Sequence, residues 1–109
     1  MSTQAPDADL AALTADHFEP LLAQAFRLEL PEGGELTMEL SELRRAALPT
    51  AARARAGFAL VFHCPSLTDG RYLRQGCYRF SHSALGAMTL FTTPTQPDAA
   101  GVRYEVIFG

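Results

Sequence analysis

Between Gln75 and Thr93 the chain reads Gln-Gly-Cys-Tyr-Arg-Phe-Ser-His, then Ser-Ala-Leu-Gly, then Ala-Met-Thr-Leu-Phe-Thr-Thr. Tyr78, Phe80 and His82 share one side of an extended segment. Met88, Leu90 and Thr92 resume the alternation after the break from Ser83 to Gly86, and Gly86 supplies the backbone freedom that a tight reversal needs. This pattern predicts a β-hairpin. A two-stranded ribbon is marginal in water and buries its apolar face only against further strands, so the hairpin predicts that its neighbours are strands as well.

The rest of the chain supplies them. Phe26, Leu28 and Leu30 alternate with Arg27 and Glu29, Pro31-Glu-Gly-Gly34 makes a turn, and Leu36, Met38 and Leu40 alternate with Thr37, Glu39 and Ser41. The next apolar residue is Leu43 rather than residue 42, which predicts a bulge near Ser41 to Glu42. Phe58 to Cys64 is apolar on both sides and predicts a central strand. Val102, Tyr104, Val106 and Phe108 define a sixth strand, with Arg103 and Glu105 outward. Ahead of the strands, Thr14 is placed to cap a short helix that carries Asp16 in its first turn, with Leu13 against Phe18 as a staple. Pro20 kinks that segment or opens a second single turn, and such a helix plugs an open end of a barrel or sandwich. The expected fold is all-β: a small six-stranded antiparallel barrel or sandwich with one short N-terminal helix, the strands following one another as a meander.

At 109 residues the chain fits one domain, expected over 13–109 behind a mobile tail at 1–12. Pro94 to Gly101 and Ser66 to Arg74 read as loops, the latter with Asp69-Gly70 as a turn signal. Ala46 to Gly57 is a longer loop, rich in Ala and Arg and without clear periodicity.

A net charge of −3, nine arginines, no lysine and no basic run argue against a nucleic-acid binder. The first residues have no basic n-region or apolar h-region, and no run approaches the ~18 apolar residues of a membrane span, so the expectation is a cytoplasmic protein without membrane contact. In that setting Cys64 and Cys77 are free thiols, with Cys64 on the side of Phe58, Leu60 and Phe62.

Residues that could carry chemistry are few. His63, Cys64, Cys77 and His82 are metal-ligand types, but adjacent His63 and Cys64 point to opposite sides of a strand, as do Cys77 and His82, so no metal site is expected. Ser81-His82-Ser83 has no nearby carboxylate and no Gly-x-Ser-x-Gly elbow exists, so His82 is expected to bond a backbone carbonyl at the hairpin end rather than serve a nucleophile. The glycines at 33 and 34 lie between strands, not before a helix, which disfavours a nucleotide site; no cofactor is implied. Glu35, Glu39 and Glu42 with Arg44 and Arg45 form the densest charge group, a solvated strand face or a partner surface. Arg53 and Arg55 in the long loop are cations that could order on a partner.

The segment from Gln75 to Phe91, with Phe26 to Leu30, Phe58 to Phe62 and Arg103 to Phe108, resembles a small bacterial family classed as a domain of unknown function. The resemblance spans Leu13 to Phe108. Its most specific feature is Gln-Gly-x-Tyr-Arg-x-x-His-x-x-Leu-Gly-x-x-x-Leu-Phe, matched by Gln75, Gly76, Tyr78, Arg79, His82, Leu85, Gly86, Leu90 and Phe91. Cys77 falls where the pattern is variable. The resemblance implies an accessory or assembly role beside phage-tail-like collar or fibre proteins.

These readings lead to a non-enzymatic interaction or assembly module that meets a protein partner through edge strands or loops, with Arg44, Arg45, Arg53 and Arg55 as contacts. A homo-oligomer is left open. The alternative is a small-molecule-binding barrel, which would need an apolar interior cavity of roughly 300 Å³ or more.

Overall fold

A computed structural model describes residues 10–45, 57–65, 72–95 and 101–108. Six strands follow a short helical segment: β1 (Ala25–Glu29), β2 (Glu35–Arg45), β3 (Phe58–Cys64), β4 (Gly76–His82), β5 (Gly86–Pro94) and β6 (Val102–Phe108). All pairings are antiparallel, and they close into a barrel in the order β1-β2-β3-β6-β5-β4. The expected barrel is therefore present, but it is not a simple meander. β3 pairs with β6, and β4 crosses to lie beside β1, opposing Phe80 to Leu28. A closed barrel has no edge strands, so the expected partner contact through a sheet edge and the notion of a central β3 both give way to a continuous wall. β3 still stands out on its outer side, where Val61 is buried while Ala59 and His63 are half-buried.

The alternation read from the sequence becomes the core. Phe26, Leu28, Met38, Leu40, Leu60, Phe62, Cys64, Phe80, Met88, Val102 and Tyr104 all point inward with essentially no exposure. Their rings interlock: Phe26 and Phe62 lie edge to face at 5.1 Å, and Phe62 and Phe80 are 4.8 Å apart. Side chains fill a barrel of this strand number. The register of β2 against β3 shifts between Leu40 and Glu42, the Ser41 hydroxyl donates to the Val61 carbonyl at 3.1 Å, and Leu43 is thereby turned back toward the core opposite Leu60. The residue spacing of Leu40 and Leu43 in the sequence is this bulge.

The end holding Arg45, Phe58 and Phe108 is closed by the helical segment, which runs through 3-10 turns at Leu10–Ala12 and Glu19–Leu21 on either side of α1 (Ala15–Phe18). Leu10 packs against the core, although the sequence reading places it in the tail. Phe18 is fully buried, 5.8 Å from Phe58 and 5.5 Å from Phe108, and those two rings stack at 4.5 Å. The Thr14 N–H donates to His17 Nδ1 at 2.9 Å, so an imidazole does at the third helical position what a carboxylate usually does. Pro20 opens the second 3-10 turn, where its missing N–H costs nothing.

At the opposite end the Leu73 N–H donates to the buried Tyr104 hydroxyl at 2.8 Å, and the Tyr78 hydroxyl donates to the Arg74 carbonyl at 2.6 Å. Burial pushes the Tyr104 phenol above its ordinary pKa, so it stays protonated at neutral pH. The hairpin turn reverses at Gly86, with φ +82°, opposite His82.

Candidate functional site

With side chains filling the described core, the surface the described residues leave for recognition is the outer wall. Outward positions alternate with core positions, and along one row they read Arg44 on β2, Ala59 on β3 and Ile107 on β6, each opposite the next. Phe91 and Cys77, opposite each other on β5 and β4, also face outward. Ile107 is 72 % exposed and Phe91 53 % exposed, large apolar side chains in the outward frame that also holds Thr89, Arg103 and Glu105. Each forgoes at least about half of the roughly 1.5–3 kcal/mol that full burial would give. β5 and β6 are in register at Thr93 with Glu105 and Pro94 with Tyr104. The Thr95 N–H adds a bond to the Arg103 carbonyl at 2.8 Å. Phe91 and Ile107 lie beyond these pairs, farther along β5 and β6 toward the helix-capped end.

A shallow cleft of about 340 Å³ runs beside this face, lined by Arg44, Arg45, Gly57, Phe58, Ala59, Ile107 and Phe108. Both arginines singled out from the sequence border it, and both are engaged. Arg44 donates from Nε to Glu42 Oε1 at 2.9 Å, from Nη2 to Glu42 Oε2 at 3.1 Å and from Nη1 to Glu105 Oε2 at 3.3 Å. This fork lowers the Glu42 pKa through its hydrogen bond and raises that of Arg44 by the same contact. Arg45 turns the other way, donating to Asp16 Oδ1 at 2.9 Å and Glu19 Oε2 at 3.2 Å, so it ties the wall to the helical plug. Arg44 is thus a rim charge of the apolar face, and Arg45 is a brace. Arg53 and Arg55 lie outside the described residues.

Two further clefts open on the outside. One of about 570 Å³ is lined by Ala25, Arg27, Thr37, Ser81, His82 and Ser83, and one of about 420 Å³ includes Glu35, Thr37, Glu39 and Pro65. His82 sits at the end of the hairpin, and its role differs from the expectation. Its Nδ1 accepts from the Ala84 N–H at 3.0 Å instead of the ring bonding a carbonyl; the proton is therefore on Nε2, which donates to Gln24 Oε1 at 2.9 Å. The ring lies 4.6 Å from Phe26, and burial lowers its pKa.

Cys64 is buried in the core and Cys77 is exposed, both as free thiols. Among the described residues no three His, Cys, Asp or Glu side chains are grouped to hold a metal ion. Nor is any described helix long and apolar enough to cross a membrane.

The sequence reading offers neither Ile107 nor Phe91 as a contact residue, although Phe91 belongs to the hairpin pattern. Its signal was present: Ile107 occupies the same parity as Arg103 and Glu105, and Phe91 lies between inward Leu90 and Thr92.

The model of a family described as a domain of unknown function (DUF6916) matches residues 13–108. No curated protein and no solved structure matches the chain.

Proposed function

From the premise that the chain belongs to the DUF6916 family of domains of unknown function, we propose that it is a non-enzymatic interaction module that docks a partner protein against the wall around Ile107 and Phe91. The observation that carries this reading is the exposure of those two side chains on a barrel whose inward positions are otherwise filled. Large apolar side chains left exposed beside charged groups are what a protein contact uses. Here the rim is the Glu42–Arg44–Glu105 network, a mixed set of charges that favours a partner offering apolar side chains at its centre and paired charges of both signs at its edge. An accessory or assembly role in a tail-like particle is the form of contact this proposal includes. The small-molecule alternative has less support, because side chains occupy the space a ligand would need.

The test is capture from cells that express the protein naturally, by wild type and by Ile107→Asp and Phe91→Asp variants with unchanged melting temperatures. The reading expects one stoichiometric partner that both variants lose and that Arg74→Ala keeps. A partner retained by both variants refutes it. If sedimentation instead shows a dimer that the variants dissolve, the wall is an interface between copies of this chain and the reading of a separate partner falls.

A further inference from the structure

On the opposite side of the barrel, three strands away from β6 in the closed order, the outward row of β1 has a different character. Arg27 lies between Thr37 on β2 and Ser81 on β4. Cross-strand neighbours of an outward arginine are ordinarily where its carboxylate would be found. Arg79 follows that habit, 3.8 Å from Glu29 across the strands, and two more arginines of the wall find carboxylates elsewhere: Arg44 meets Glu42 and Glu105, and Arg45 meets Asp16 and Glu19. Arg27 has hydroxyls on both sides and no ion pair or hydrogen bond of its side chain with any described residue. The hydroxyls of Thr37, Ser81 and Ser83 are likewise without a partner among the described residues, and all four side chains line the same cleft of about 570 Å³. Ala25, beside them, is small enough to leave the depression open.

We propose that this cleft binds a small oxyanion, a phosphomonoester or a carboxylate, with the Arg27 guanidinium as its cationic fork and the hydroxyls of Thr37, Ser81 and Ser83 as donors. Guanidinium geometry matches two oxygens of such a group at once, and hydroxyl rotors turn to complete its shell. The surroundings set the size of the ligand. Glu39 stands opposite Ala25, and Glu29 opposite Glu35, so carboxylates flank the cleft along both directions of the strands. They repel an extended polyanion and leave room for one compact charged group. His82, its N–H committed to Gln24, forms a neutral end wall. The site is independent of the partner surface and stands or falls separately from it.

The experiment is a nitrogen–proton NMR titration of the full chain, with inorganic phosphate and with acetate in separate arms at constant ionic strength. The expectation is saturable shifts centred on the amides of Arg27, Ser81 and Ser83, with affinity on the order of millimolar. Arg27→Gln should weaken that affinity at least about tenfold, as loss of a charge-assisted hydrogen bond does. Ser81→Ala should weaken it less, and Arg74→Gln, an exposed arginine outside the cleft, should leave it unchanged. Saturation by phosphate alone points to a phosphate group as the ligand's anion; saturation by acetate alone points to a carboxylate, and saturation by both shows that the cleft takes either oxyanion. Shifts that stay linear in both arms, or that persist in well-dispersed spectra of Arg27→Gln, overturn the proposal.

Discussion

Gly101 is the position at which a single methyl group should cost the most. It enters β6 with φ +126°, a conformation that L side chains rarely adopt, and it passes directly over the end of β3. A Cβ built there collides with the Cys64 carbonyl oxygen and comes within 2.9 Å of the Pro65 Cα and 3.1 Å of the Cys64 carbonyl carbon. None of these neighbours is the flexible tip of a side chain. Gly101→Ala must hold the strained backbone, at about 1–3 kcal/mol, and its clash with fixed backbone pushes the strand entry aside and disturbs the ladder that begins where Val102 opposes Cys64, at about 1 kcal/mol for each hydrogen bond left unmade. Both together put the loss near 2–4 kcal/mol, a large share of the roughly 5–15 kcal/mol that holds a domain of this size together. At about 4–8 °C per kcal/mol the melting temperature should fall by roughly 10–30 °C. Urea unfolding followed by circular dichroism measures the loss. Gly76→Ala is the control, since its Cβ would meet only the Tyr78 ring edge at 3.9 Å, and it should change stability by less than about 1 kcal/mol. If Gly101→Ala is as mild as that control, the close crossing of β3 and the entry to β6 is wrong.

Two solution measurements probe other parts of the same barrel. Burial lowers the His82 pKa below the ordinary 6.5, so the unfolded chain binds the proton more readily than the folded one. The stability that His82 contributes is complete above pH 6.5 and is lost as pH falls through its folded pKa, where a proton on Nδ1 would also break the bond from the Ala84 N–H. Urea midpoints at pH 7.5, 6.5 and 5.5 should fall more steeply for wild type than for His82→Asn; parallel slopes would contradict the burial. For the thiols, a chromogenic disulfide reagent should titrate one group per native chain, Cys77, and a second, Cys64, only in denaturant. Two fast-reacting thiols in the native protein would show that Cys64 is not in the core.

How much of this was legible beforehand follows from which forces are local. The inward residues of every strand could be read off the period of two, and even the bulge could be, because Leu40 and Leu43 have the wrong spacing for an unbroken strand. The helical plug was equally legible, since its cap, its acidic first turn and its proline are neighbours in sequence. Strand order was not. Whether β3 goes on to pair with β4 or with β6 is decided by closure of the whole sheet, and both strands offer it an apolar face. The arginines show the same division in a single residue pair. Arg44 has Glu42 beside it in the chain, but the Arg45 partners Asp16 and Glu19 are 29 and 26 residues away, so a cation that reads as free for a partner is in fact a brace.

The outer wall was the hardest part, for a reason that bears on function. In a filled barrel each strand encodes two messages interleaved, one for the core and one for whatever touches the surface, and the core message is so strong that an apolar residue in the other frame is absorbed into it. Ile107 and Phe91 were lost in this way among Val106, Phe108, Leu90 and Thr92. Arg27 was lost in the reverse sense, because a charge between Phe26 and Leu28 is what an outward frame should contain; only the hydroxyls that flank it on β2 and β4 distinguish it from a solvated arginine. On this fold, function has to be read from the outward frame alone, across strands rather than along them.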